Sequence, residues 1–157
     1  MGAFGYSLIY ALSYAGLQLA DAWLNYSRQQ SVISQDLIWL GNPDNFGALM
    51  FEPLSITILC LCSLMVFAME RNHQRVADLL RSDWAALLCT PFVLLAMKLL
   101  SVINSTLTYL GLNSPILIPD ISGGDQMFII ILLFIGVAAV LHFPVTRFLK
   151  KRYLPKG

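Results

Sequence analysis

The sequence predicts an all-α, polytopic membrane protein: an antiparallel four-helix transmembrane bundle made of two hairpins. Four apolar stretches, 3–23, 49–69, 84–102 and 127–145, fill more than half of the 157 residues. Each approaches the ~20 residues that carry a helix across a bilayer. Hydrophobic residues make up 57% and charged residues 12%, with a mean hydropathy of +0.69, where soluble domains are about a quarter charged. Nearly every charge falls in the connections between the stretches. One domain, 1–157, is all the length allows.

The first stretch starts almost at Met1 with no basic segment before it and no small-residue cleavage pattern after it. It reads as a retained helix rather than a signal peptide. Orientation follows from the basic residues. Arg71, Arg75 and Arg81 lie between the second and third stretches, and Arg147, Lys150, Lys151, Arg152 and Lys156 lie in the tail, eight of the ten in all. The other two connections hold only Arg28, beside Asp36, Asp44, Asp120 and Asp125. Because Lys- and Arg-rich loops stay on the cytoplasmic side, both termini are expected in the cytoplasm and the two longer connections outside. That arrangement expects the tail basics to set orientation chiefly, so trimming the chain after Arg152 should matter little.

A net charge of +1 offers no electrostatic footprint for nucleic acid. Cys60, Cys62 and Cys89 all fall within the apolar stretches. Cys60 and Cys62 stand about 200° apart on a helix, unlike a CxxC redox pair or a metal clamp, so they read as packing residues. No GxSxG, HExxH, P-loop or catalytic carboxylate pair occurs, and the turn-rich segments 41–45 and 119–125 lack calcium-loop spacing. No enzyme activity, cofactor or metal is expected. Two glycosylation-type triplets, at Asn25 and Asn104, are short enough to arise by chance. Segments 12–26 and 95–109 share a faint likeness that alternating helix direction explains without a repeat.

Charge in hydrocarbon is expensive and is usually paired or functional. Asp21, Glu52, Lys98 and His142 are the ionisable residues near or within the stretches. Lys98 lies fourteen residues beyond Trp84, roughly 21 Å along a helix, which brings it to the same leaflet as Asp21 and Glu52. An ion pair of Lys98 with Glu52 or Asp21 is therefore expected, serving helix register, partner recognition or an ion path. His142 stands alone, too little for a proton relay. Tyr6, Tyr10 and Tyr14 recur every four residues and so form one stripe, either a packing seam or a partner face. Trp23 and Trp84 mark interfaces.

The C-terminal run Phe143-Pro144-Val145-Thr146-Arg147-Phe148-Leu149-Lys150-Lys151-Arg152 and the third-stretch entry Leu87-Leu88-Cys89-Thr90-Pro91 resemble the immunity proteins that protect bacteria against pore-forming colicins of the colicin A group. The likeness covers about the second half of the chain. It extends to the plan of four spans with cytoplasmic termini. It implies a bacterial inner-membrane protein that meets the toxin's channel-forming domain in the bilayer and blocks pore opening. Membrane lipids and that domain would be its partners, with a homo-oligomer or larger complex left open. Two other classes suit the same residues: a small non-catalytic accessory subunit of a membrane complex, or an oligomeric transporter or channel.

Overall fold

A computed structural model describes residues 2–33, 44–112 and 125–154. Most of the turn-rich segments at 41–45 and 119–125, and Lys156, lie outside them. Apart from short breaks between helices, the described residues are helical: α1 (Ala3–Ile33), α2 (Asp44–Met50), α3 (Pro53–Arg71), α4 (His73–Arg81), α5 (Ala85–Leu88), α6 (Thr90–Tyr109) and α7 (Asp125–Tyr153). Within them, α3, α6 and the Ile131–Tyr153 part of α7 are long and apolar enough to cross a membrane. The chain is thus built as a membrane-embedded helical protein.

The helix bounds depart from the expected stretches for local reasons. The second stretch is cut at Phe51 and Glu52, because a residue before proline is pushed out of the α region and Glu52 sits at φ −56°, ψ 125°. Pro53 then opens α3, where its missing N–H would lack a partner anyway. Pro91 does the same near the start of α6, which moves the third stretch from 84–102 to Thr90–Tyr109. Gly111, at φ 71°, ends α6. There the amide of Leu112 donates to the carbonyl of Leu107, and that of Gly111 to the carbonyl of Thr108, both at 3.0 Å, the Schellman closure that a left-handed glycine permits.

Two connections expected to be simple loops or tail are helical. Val76 and Leu80, four apart, are buried while His73, Arg75, Asp78 and Arg81 are exposed, so segment 70–83 holds an amphipathic helix, α4. The last stretch does not stop at Val145: α7 carries Pro144 internally and continues to Tyr153. Arg147, Lys150, Lys151 and Arg152 thereby belong to a folded turn.

Helix α1 packs on α3 and α6, whereas α7 packs on α6, α4 and α5 and makes no close backbone approach to α1 or α3 among the described residues. Contacts of Tyr10 with Pro91 and of Asp21 with Lys98 show α1 and α6 running together. Ser7 against Ser63 and Tyr14 against Ser55 show α3 running the other way, with Leu49 of α2 meeting Gln18 further along. One core joins Met69, Val76, Leu80, Leu88, Cys89, Val93, Leu149 and Tyr153 at the basic end; a second joins Tyr10, Tyr14 and Cys62. Leu149 is 1% exposed. Its replacement by alanine is expected to cost about 2–3 kcal/mol through the cavity left behind, measurable as a lowered unfolding midpoint in detergent.

Candidate functional site

Helix α1 carries Tyr14, Gln18, Asp21 and Asn25 at intervals of three and four, and α6 carries Lys98, Ser101 and Ser105 at three and four. Such spacing makes one polar stripe on each helix, and because α1 and α6 run together the two stripes meet. Lys98 Nζ donates to Asp21 Oδ2 at 2.9 Å and Ser101 Oγ donates to the same oxygen at 3.0 Å. Asp21 Oδ1 accepts from Ser105 Oγ at 2.7 Å and from Asn25 Nδ2 at 3.2 Å. A carboxylate offers about four acceptor positions, and four donors take them here. The pair is withdrawn from solvent, with side-chain exposures of 11% for Lys98 and 12% for Asp21.

Of the two carboxylates within reach of Lys98 by sequence, the structure joins Asp21. Glu52, exposed ahead of α3, accepts instead from Ser55 Oγ at 3.0 Å. Gln18 Nε2 donates to the carbonyl of Leu49 at 2.7 Å, tying the end of α2 to α1. Sequence reasoning did not bring Gln18, Asn25, Ser101 or Ser105 to this site. The signal was present, since each lies three, four or seven residues from Asp21 or Lys98.

Beside this network α7 stands off from α1 and α3, leaving a lateral cleft of about 350 Å³. Tyr14, Ser55, Lys98 and Ser101 line it on one side, Ile131 and Phe134 of α7 on the other. Most of the lining is apolar, with a few hydroxyls and the edge of the ion pair among it. Such a surface suits a helix or chain already in hydrocarbon better than a water-borne solute.

The tyrosine stripe points inward. Tyr10 and Tyr14 are 7% and 3% exposed, and Tyr10 Oη donates to the carbonyl of Pro91 at 2.8 Å. Tyr10 packs in the core between α1, α3 and α6, while Tyr14, though buried, also reaches the wall of the cleft. Tyr6 lies under the Arg152 guanidinium, 4.3 Å from Cζ to the ring centre. Trp23 and Trp84 are exposed. Trp23 stands edge-on to Phe46, 6.2 Å between ring centres.

Among the basic residues Arg71, Arg75, Arg81, Arg147, Lys150 and Lys151 are exposed, and Arg152 is not simply a topology signal. Its Nε and a terminal nitrogen each donate to a Glu70 carboxylate oxygen at 3.0 Å. Tyr153 Oη donates to Glu70 as well, and His73 stacks edge-on against Tyr153 at 5.0 Å. Tyr153 is 6% exposed, so the residue expected to be dispensable belongs to the core. Cys62 and Cys89 are buried and Cys60 exposed; Cys89 Sγ lies 3.5 Å from Thr146 Oγ1. His142 is exposed on α7. Comparison with protein-family models, curated proteins and solved structures found no match in any of the three.

Proposed function

We propose that the chain is a four-span immunity protein of the bacterial inner membrane that binds the channel-forming domain of a pore-forming colicin in the bilayer and blocks pore opening. The observation that carries this reading is the lateral cleft walled by Tyr14, Ser55, Lys98 and Ser101 and by Ile131 and Phe134 of α7. The resemblance of the last span and tail to that family supports it.

Helix α1 is less apolar than the other long helices, yet its acid is already satisfied by α6. It can therefore cross as the fourth span without an unpaired charge in hydrocarbon. With the basic residues at the α4 and α7 ends held in the cytoplasm, the cleft opens toward the outer leaflet, the side from which a toxin hairpin arrives.

Apolar contact alone gives an incoming helix no preference over lipid, so hydroxyls at the cleft wall supply the selectivity. A toxin helix seated against α7 and α6 is held out of the open-channel arrangement. The Asp21 network serves as the fixed wall, because all of its acceptor positions are occupied and it does not rearrange to bind.

Cells expressing the chain are expected to survive at least one member of a panel of pore-forming bacteriocins. Ile131→Trp narrows the cleft from an exposed position and should abolish that protection while the protein still reaches the membrane fraction. Leu12→Ala, on the opposite face of α1 from Tyr14, should leave it intact. Reporter fusions after Gly41 and after Asp120 should be external. Sensitivity to every toxin in the panel, or cytoplasmic reporters, would refute the reading; a fixed set of co-purifying subunits would favour the accessory-subunit class instead.

A further inference from the structure

We infer, on the reading of the lateral cleft as the seat of a toxin helix, that the cleft selects an apolar helix carrying one carboxamide, of Asn or Gln, at mid-span. An ammonium has three N–H donors and no acceptor. Lys98 gives one to Asp21 Oδ2 at 2.9 Å and makes no other hydrogen bond among the described residues, so two are unspent. Lys98 lines the cleft, and the α7 residues across from it, Ile131 and Phe134, carry no side-chain acceptor. Ser101 Oγ donates its one hydrogen to the same Asp21 oxygen at 3.0 Å, which leaves its lone pairs free to accept. Three residues apart on α6, Lys98 and Ser101 are neighbours on one face, so the wall shows a donor and an acceptor side by side.

An occupant must answer both atoms without adding charge. Lys98 and Asp21 already cancel, so a carboxylate on the helix would bring an unmatched charge into hydrocarbon. A cationic side chain would find the acceptor positions of Asp21 filled. A wholly apolar helix would leave the ammonium donors unpaired, which is costly for a charged group. A hydroxyl has its donor and acceptor on one atom, whereas a carboxamide carries an acceptor oxygen and an N–H donor on neighbouring atoms. Its oxygen can take an N–H of Lys98 while its nitrogen donates to Ser101 Oγ. Depth adds to the selectivity. Lys98 lies near the middle of α6 (Thr90–Tyr109), about 12 Å from one end and about 16 Å from the other at the helical rise. Lipid tails at that depth offer no acceptor, so the unspent donors favour a helix with a matching polar group over the lipid it displaces.

The test measures energy transfer between the labelled full-length protein and dilute transmembrane peptides, Leu/Ala helices of about twenty residues, in vesicles of phosphatidylethanolamine and phosphatidylglycerol. A peptide with Asn at its central position should bind about fivefold more tightly than its Leu counterpart, the scale of one interhelical side-chain hydrogen bond. Moving the Asn seven residues along keeps its helix face but shifts it about 10 Å in depth, and should remove the preference. Lys98→Met should bind both peptides alike. Ser101→Ala, which keeps the ion pair, should lower the preference about twofold, and Leu12→Ala, exposed on the far face of α1, should keep it whole. Equal binding of the two peptides by the parent protein would overturn the inference. So would an undiminished preference in Lys98→Met with its fold verified by an unfolding midpoint, or the same preference for the displaced Asn, which would mark general adhesion of a polar residue in lipid. If Lys98→Met does not fold, Ser101→Ala and the displaced Asn decide. Sensitivity to every toxin together with intact Asn selectivity would refute the immunity reading and leave the carboxamide site standing; protection of cells with equal binding of both peptides would do the reverse.

Discussion

Asp21→Ala should destabilise the protein by about 3–5 kcal/mol, the cost of stranding a buried charge when its partner is removed. Lys98 is left with 11% of its side chain exposed and no counter-charge, and Ser101, Ser105 and Asn25 lose their shared acceptor. Lys98→Met should cost less, because Asp21 keeps three donors from neutral side chains. Replacing both, Asp21→Leu with Lys98→Met, should fall within about 1 kcal/mol of the parent, since exchanging a buried pair for apolar residues of similar volume is often neutral. Unfolding midpoints of the four proteins in one detergent test the order. A double variant less stable than Asp21→Ala would show that the pair contributes net attraction beyond its own desolvation. If the double variant folds and still protects cells, the pair fixes helix register; if it folds and fails, its charges meet the partner.

The positions of the apolar helices could be read from composition and length, because hydrocarbon tolerates few alternatives to a helix of about twenty apolar residues. The rise per residue also brought Lys98, Asp21 and Glu52 to one level. It could not choose between the acids, since the choice depends on how α1 slides and rotates against α6. Two local facts decide it in the structure. Asp21 lies on the same stripe as Gln18 and Asn25, facing α6, whereas Glu52 sits in the break ahead of Pro53 and bonds within its own first turn.

The basic end was harder to read for a different reason. Charges in short connections are usually solvated and contribute little when paired, so Glu70 and Arg152 drew no attention as a pair. Both lie within helices that outrun the apolar stretches: α3 ends at Arg71 and α7 at Tyr153. Once α7 continues past Pro144, Leu149 and Tyr153 share a face four residues apart. That face closes over Val76 and Leu80 of α4. The spacing was visible in the sequence, but a proline and a run of basic residues made it resemble a helix ending.

Ending the chain at Arg152 should therefore be far more damaging than its distance from the lateral cleft suggests. The deletion removes Tyr153, a buried aromatic whose loss costs about 3–5 kcal/mol in a packed core, and with it the hydroxyl that Glu70 accepts. Ending it one residue later, at Tyr153, should be nearly silent, which separates the aromatic from the mere length of the tail. Glu70→Ala frees Arg152 from α3, a charged hydrogen-bonded contact worth about 1.5–3 kcal/mol; the guanidinium can then reach water, which brings the cost toward the lower figure. The two lesions act on one clasp, so combining them should cost less than their sum. Proteolysis at the basic end, followed by peptide mapping, reads the release of α7. Unchanged protection by the Arg152 truncation, with α7 as resistant as in the parent, would show that the remaining contacts with α4, α5 and α6 hold this helix in place.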